Sequence, residues 1–244
     1  MKHKVLIVNK FYYPRGGDCV VSMSTEELLS GNGCETAVFA MQFPENNPSP
    51  WQRYFAPQVE FSGSVGAKLR AARRVFGRGD VVKCFNRLLD DFRPDLVLLN
   101  NIHSYLSPVL AELAHRRGIR VLWVLHDYKL FCPSYRCLRD GQPCSECIDN
   151  PKAVWQHRCM KGSSAASMLA LLEARKWNRR RLVRSTDMFI CPSRFMRSMM
   201  VKAGFPEEKL AVVCNMVEPR KFEIFRSGTD ANGTKVDAPS KVNV

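Results

Sequence analysis

Short, continuously apolar runs alternate with stretches of helical periodicity along this chain, and no other feature narrows its fold so far. Residues 5–8, 37–40, 96–99 and 121–125 are apolar and rich in β-branched side chains, and further runs follow at 188–191 and 210–213. Each has the length of a strand. Most are apolar throughout rather than alternating, as in strands of a parallel sheet covered on both faces. Between them, residues 18–30, 66–76, 81–91, 106–117, 163–184 and 193–203 read as helices. Strand followed by helix, repeated, predicts an α/β fold: a doubly wound, mostly parallel Rossmann-like sheet with helices on both faces. Gly31 and Gly33, Gly118 and Gly204 stand where helices stop, and Ser193 stands where one is capped.

Two segments interrupt the alternation. Residues 41–65 carry Pro44, Pro48, Pro50 and Pro57 and read as a long loop. Residues 127–162 form an insertion holding half of the chain's 10 cysteines. From Ser227 onward the sequence is polar and Gly/Pro/Asn-rich, the composition of a disordered tail. The expected organisation is therefore one domain over residues 1–226 and a tail over 227–244.

Lys and Arg number 37 against 23 Asp and Glu, a net charge of +14, which favours anionic partners such as nucleotide phosphates or an acidic membrane face. No apolar run reaches the roughly 18–20 residues of a membrane-spanning helix. The opening MKHKVLIVN has no cleavage site of small residues and reads as a strand. That places the protein in the cytoplasm, where cysteines are thiols or metal ligands rather than disulfides.

The first strand runs into Lys10-Phe11-Tyr12-Tyr13-Pro14-Arg15-Gly16-Gly17-Asp18 before a helix begins. A helix N-terminus at the carboxyl edge of a parallel sheet offers free N–H groups to an anion, and paired glycines let it come close. The spacing is not that of a dinucleotide fingerprint. Later, His126 and Asp127 end another strand at the same edge, where a neutral imidazole can both donate to and accept from a sugar hydroxyl. His103, in the loop after residues 96–99, is a weaker candidate for the same cleft.

The stretch KVLIVNKFYYPRGGDCVVSMSTEELLSGNGCETAVFAM resembles the opening of glycosyltransferase family 4, the retaining enzymes of the two-domain B-type fold. The blocks RPDLVLLNNIHSYLSPVLAELAHRRGIRVLWVLHDY and DMFICPSRFMRSMMVKAGFPEEKLAVVCNMVEPRKF resemble later motifs of that family, in its order. The resemblance covers roughly residues 4–225, the acceptor-side domain. It implies that Arg15, Gly16, Gly17, His103, Asp127 and Asn215 contact donor or acceptor, and that His126 is catalytic, set against the transferred sugar. It implies a nucleotide-sugar donor, a glycan or polyprenyl-linked acceptor and no cofactor in the chemistry. Two positions depart from the pattern: Cys34 replaces a His, and Met216 replaces the glycine of the hinge motif. The groups that hold the nucleotide diphosphate in this family belong to a second, donor-binding domain that the sequence does not contain. Turnover is then expected to need that domain from another chain.

Cys132, Cys137, Cys144, Cys147 and Cys159 follow C-x4-C-x6-C-x2-C-x11-C. One C-x2-C knuckle with flanking thiols can form a tetrahedral thiolate site, and structural zinc on Cys132, Cys144, Cys147 and Cys159 is the expectation, Cys137 being the spare thiol. Free thiols are the alternative. Some members of the family carry a similar insertion after their His-Asp. Residues 169–184 read as a basic amphipathic helix, either a solvated face or a surface for an anionic membrane at the inner face of the cell. Two other readings stand beside the enzyme: a non-catalytic module binding an acceptor or partner, and a zinc-bearing nucleic-acid binder. The second rests on charge and thiols alone, so no nucleic acid is expected.

Overall fold

A computed structural model describes residues 2–215. β1 (Lys4–Val8) leads through α1 (Gly17–Gly31) to β2 (Glu35–Phe39). α2 (Val65–Val75) and α3 (Asp80–Phe92) precede β3 (Leu96–Leu99), and α4 (Val109–Arg116) precedes β4 (Arg120–Val124). The cysteine-rich insertion holds the two-residue strands β5 (Leu138–Arg139) and β6 (Gln142–Pro143) and the single turn α5 (Ala153–Gln156). α6 (Ser164–Lys176), α7 (Arg179–Ser185), β7 (Met188–Cys191), α8 (Arg194–Lys202) and β8 (Leu210–Val212) follow.

Among the described residues the main sheet has six strands in the order β2-β1-β3-β4-β7-β8, every neighbouring pair parallel. The expected doubly wound α/β fold is what forms. Leu6, Val8, Phe39, Val97, Leu99, Val121, Trp123 and Phe189 bury one face of the sheet with Phe85, Leu88 and Phe92 of α3. Val5, Ile7 and Leu98 bury the other, with Leu29 of α1 packed against them. Each such side chain contributes roughly 1.5–3 kcal/mol on leaving water, which is why continuous apolar strands choose the centre of a covered sheet. The chain reverses direction across the sheet between β1 and β3, and the carboxyl ends of those strands open a crevice.

Residues 41–65 are more ordered than the sequence suggested. Met41 and Ala56 form a parallel bridge at the β2 edge, with Ala56 N donating to Ala40 O at 2.9 Å and Gln42 N to Ala56 O at 2.8 Å. Tyr54 and Phe55 are buried beneath it. The backbone groups of an edge strand need partners, and this segment supplies them. Between α2 and α3, Gly77 has φ +71°, and a Cβ there would lie 2.7 Å from the Cβ of Val109, so only glycine fits the turn.

The expected single helix over 163–184 is two. Trp177 ends α6 with its indole buried and donating to Val75 O at 2.7 Å. Asn178 then caps α7, its side-chain oxygen accepting from Arg181 N at 3.1 Å. Trp177 and Leu182 face the core, so no continuous amphipathic face exists there. Met216, Val217 and Glu218 of the hinge motif, the domain end at 226 and the tail from Ser227 lie outside the described residues.

Candidate active site

β1, β3 and β4 each end in a polar residue at the carboxyl edge: Asn9, Asn100 and, one residue further, His126. Asn9 is buried and ties the first two ends together, its Oδ1 accepting from Asn101 N at 3.2 Å and its Nδ2 donating to Phe11 O at 3.1 Å. With the proton on Nε2, His126 donates to Asn100 Oδ1 at 2.9 Å, leaving Nδ1 as an acceptor. Trp123 Nε1 donates to Asn100 O at 3.1 Å and fixes the backbone behind that contact. Asn100 Nδ2 is buried without a protein partner, a donor left over where His126 meets the sheet.

Burial lowers the pKa of His126 to about 4, against a smaller upward pull from Asp18 and a downward one from Lys10. The ring is neutral at physiological pH, as its expected role requires. His103 is pushed well below its ordinary value, first by burial and then by Lys129 and Lys10. Its imidazole lies over Trp123, ring centres 5.2 Å apart. A base whose folded pKa lies below its unfolded value near 6.5 binds more protons when unfolded. Its stabilisation is complete above pH 6.5 and disappears as the pH falls toward 4. Unfolding midpoints measured from pH 7 to 4 should therefore fall, and His126→Gln should flatten that fall. An unchanged slope in the variant would remove His126 as a cause.

A cleft of about 470 Å³ adjoins this edge, lined by Lys10, Asn101, His103, Asp127 and Lys129, with Tyr105, Phe61 and Leu169 among its apolar walls. Asp127 Oδ1 accepts from Lys129 N at 2.9 Å, and burial holds its carboxyl above the usual range. Lys10 Nζ stands 3.7 Å from Asp18 Oδ2. The cleft wall also holds a buried ion pair that the sequence does not reveal. Lys129 Nζ meets Glu173 Oε2 at 3.0 Å, the two side chains 8% and 6% exposed. Glu173 also accepts from Ser104 N at 2.9 Å and from Ser104 Oγ, and Lys129 Nζ donates to Pro133 O at 2.8 Å. The pair thus clamps the insertion, α6 and the loop after β3 around His103.

The expected site residues fall into three places. His103 and Asp127 line the cleft, and His126 joins them around a smaller cavity beside it. Gly16 and Gly17 are exposed at the start of α1, where a Cβ on Gly17 would meet nothing within 4 Å, so the approach to that helix end is open. Arg15 is exposed, its guanidinium 4.1 Å from the Phe11 ring centre and bonded to Tyr13. Asn215 is the last described residue and falls outside the compact unit that ends at Cys214. The sequence signal for Asn9 and Asn100 was present: both follow an apolar strand directly, as the His-Asp pair does.

The insertion gathers its thiols. Cys137 and Cys144 flank the β5–β6 hairpin, Cys144 N donating to Cys137 O at 2.8 Å. Hydrogen bonds from Cys137 and Cys147 pull the pKa of Cys132 down, while the thiols of Cys137 and Cys147 are pushed up. All cysteines are free thiols, and no three His, Cys, Asp or Glu side chains among the described residues are arranged to hold a metal. The donor chemistry suits zinc, but the arrangement as it stands does not.

Residues 20–221 match Glycosyltransferase Family 4. The chain belongs to that family. The match includes His103, His126, Asp127 and the whole cysteine insertion; Arg15, Gly16 and Gly17 precede it. Solved structures similar to this family 4 domain include a UDP-N-acetylglucosamine 2-epimerase from Rickettsia bellii, at 12% identity and TM-score 0.49 over 93% of this chain and 48% of that one. The lipopolysaccharide outer core galactosyltransferase WaaB is similar at 14% identity and TM-score 0.44, over 88% and 46%. Acinetobacter baumannii MurG is similar at 11% and 0.44, over 90% and 47%. The chain thus spans about half the length of these structures. No curated protein matches it. Among the described residues no helix is long and apolar enough to cross a membrane.

Proposed function

We propose that the chain is the acceptor-side half of a retaining glycosyltransferase, moving a hexose-type sugar from a nucleotide-sugar donor to a glycan or polyprenyl-linked acceptor in surface-polysaccharide or lipopolysaccharide assembly. The observation that carries this is His126: a neutral imidazole, bonded to Asn100 at the switch-point edge of a family 4 sheet, beside a cleft that holds Lys10 and Asp127. In this reading His126 holds a hydroxyl of the transferred sugar. The open N-terminus of α1 at Gly16 and Gly17 faces a donor phosphate, with Arg15 near it. Charge on the departing diphosphate is stabilised by a donor-binding domain, in this or a second chain, and no metal enters the chemistry.

A panel of nucleotide sugars, offered to the purified protein with and without a candidate donor-binding domain, tests the reading. Transfer is expected only with that domain, and His126→Ala should lower kcat by roughly 10²-fold or more. Inactivity across the whole panel in both arms would leave the chain as a module that binds an acceptor or partner.

For the thiol cluster the proposal is a structural zinc on Cys132, Cys144, Cys147 and Cys159, resting on the thiolate donor chemistry of the insertion and requiring these four to turn toward one point. About one zinc per purified chain is the expected result. Less than about half an equivalent disposes of it.

A further inference from the structure

The break between α6 and α7 removes the surface on which a membrane contact was expected, since Trp177 and Leu182 are buried. A different helix has the required character. On α2, Val65 is 84% and Leu69 60% exposed, and nearby Phe61 is 36% exposed. Val65 and Leu69 are four residues apart and share a face. Lys68, Arg70 and Arg73 are exposed around them. From residue 61 to 79 the chain carries Lys68, Arg70, Arg73, Arg74 and Arg78 and no acidic side chain. The helix is firmly seated: Arg74 turns inward and donates to Pro57 O at 3.1 Å and Tyr105 O at 3.2 Å, while Ala71 and Val75 are buried.

An exposed apolar ridge flanked by cations fits one partner class best. Nucleic acid would use the cations and leave Val65 and Leu69 against a polar surface, whereas an anionic bilayer takes both. Position adds a reason. Phe61 packs edge-on against Tyr105 at 5.3 Å, and both line the cleft that contains Lys10 and Asp127.

We propose that the Phe61, Val65 and Leu69 face of α2 docks on an anionic lipid bilayer, with Lys68, Arg70 and Arg73 against the headgroups, so that the cleft opens at the lipid surface. Its role in presenting a lipid-borne acceptor rests on the function proposed above; the docking does not, and it is measured without turnover.

Co-sedimentation of the purified chain with phosphatidylcholine vesicles containing roughly 30% phosphatidylglycerol tests it. Binding should be about tenfold or more weaker to phosphatidylcholine alone and to anionic vesicles in high salt. Val65→Ser with Leu69→Ser changes no charge and should weaken binding about tenfold. Lys68→Glu with Arg70→Glu should do at least as much. Arg180→Glu with Arg184→Glu, an equal charge change on exposed α7 positions, should leave binding within about twofold. Since all these side chains are exposed, unchanged unfolding midpoints confirm that the variants fold. Absent binding to anionic vesicles, full binding by the serine variant, equal loss in the α7 variant, or tighter binding to duplex DNA than to vesicles each overturns the proposal. Docking without transfer in the donor panel rejects only the function, and transfer to a soluble acceptor without docking rejects only this inference.

Discussion

Trp123→Ala is expected to destabilise the domain by about 3–5 kcal/mol, a large part of the 5–15 kcal/mol typical of a folded domain. Trp123 is 1% exposed at the centre of β4, stacked between His103 and Phe189. Truncation leaves a cavity on the covered face of the sheet and deprives Asn100 O of its indole donor. His103 loses the surface it lies on, so the cost falls on the candidate site as well as the core. Urea unfolding followed by circular dichroism measures it. Trp123→Phe keeps most of the ring and loses the hydrogen bond, and should cost clearly less. Equal losses in the two variants would mean that the hydrogen bond, not the volume, carries the effect.

Glu173→Ala is expected to cost about 3–5 kcal/mol, because it removes the ion-pair partner of the buried Lys129 and leaves Pro133 O as its hydrogen-bond acceptor. Ser104 N and Oγ lose their acceptor in the same step. Replacing both partners by apolar residues, Lys129→Met with Glu173→Leu, should recover the part of the loss that comes from the buried charge, while Ser104 stays without its acceptor. The double-mutant cycle reads the coupling directly. A loss below about 1 kcal/mol in Glu173→Ala would show that the pair is solvated in solution. The double variant should still lose transfer in the assay with a donor-binding domain, because its loop after β3 no longer has a charged anchor.

Much of this fold is written locally. Continuous apolar runs gave the strands of the main sheet within two residues at each end, and Ser193 and Gly118 marked boundaries that the structure keeps. His126 and Asp127 were legible because a polar pair ending an apolar strand must stand at the sheet edge. The clamp between Lys129 and Glu173 was not legible. Glu173 lies in a helix that reads as basic and exposed, and nothing in its neighbourhood shows that it turns inward. The same holds for α2, where alternating Ala and Arg describe an amphipathic helix without saying whether its Leu or its Ala faces the core.

By itself, then, the sequence determined the parallel α/β architecture, its family and the edge that carries His126, since strand burial and helix punctuation depend on neighbours a few residues away. Tertiary structure alone decided that Asn100 holds His126, that Lys129 meets Glu173 and that the 163–184 segment breaks at Trp177. It also decided that Val65 and Leu69, rather than Trp177 and Leu182, face outward. Those outcomes depend on strand order and on which helix packs over which face, and long-range contacts of that kind leave no periodicity in the chain to be read.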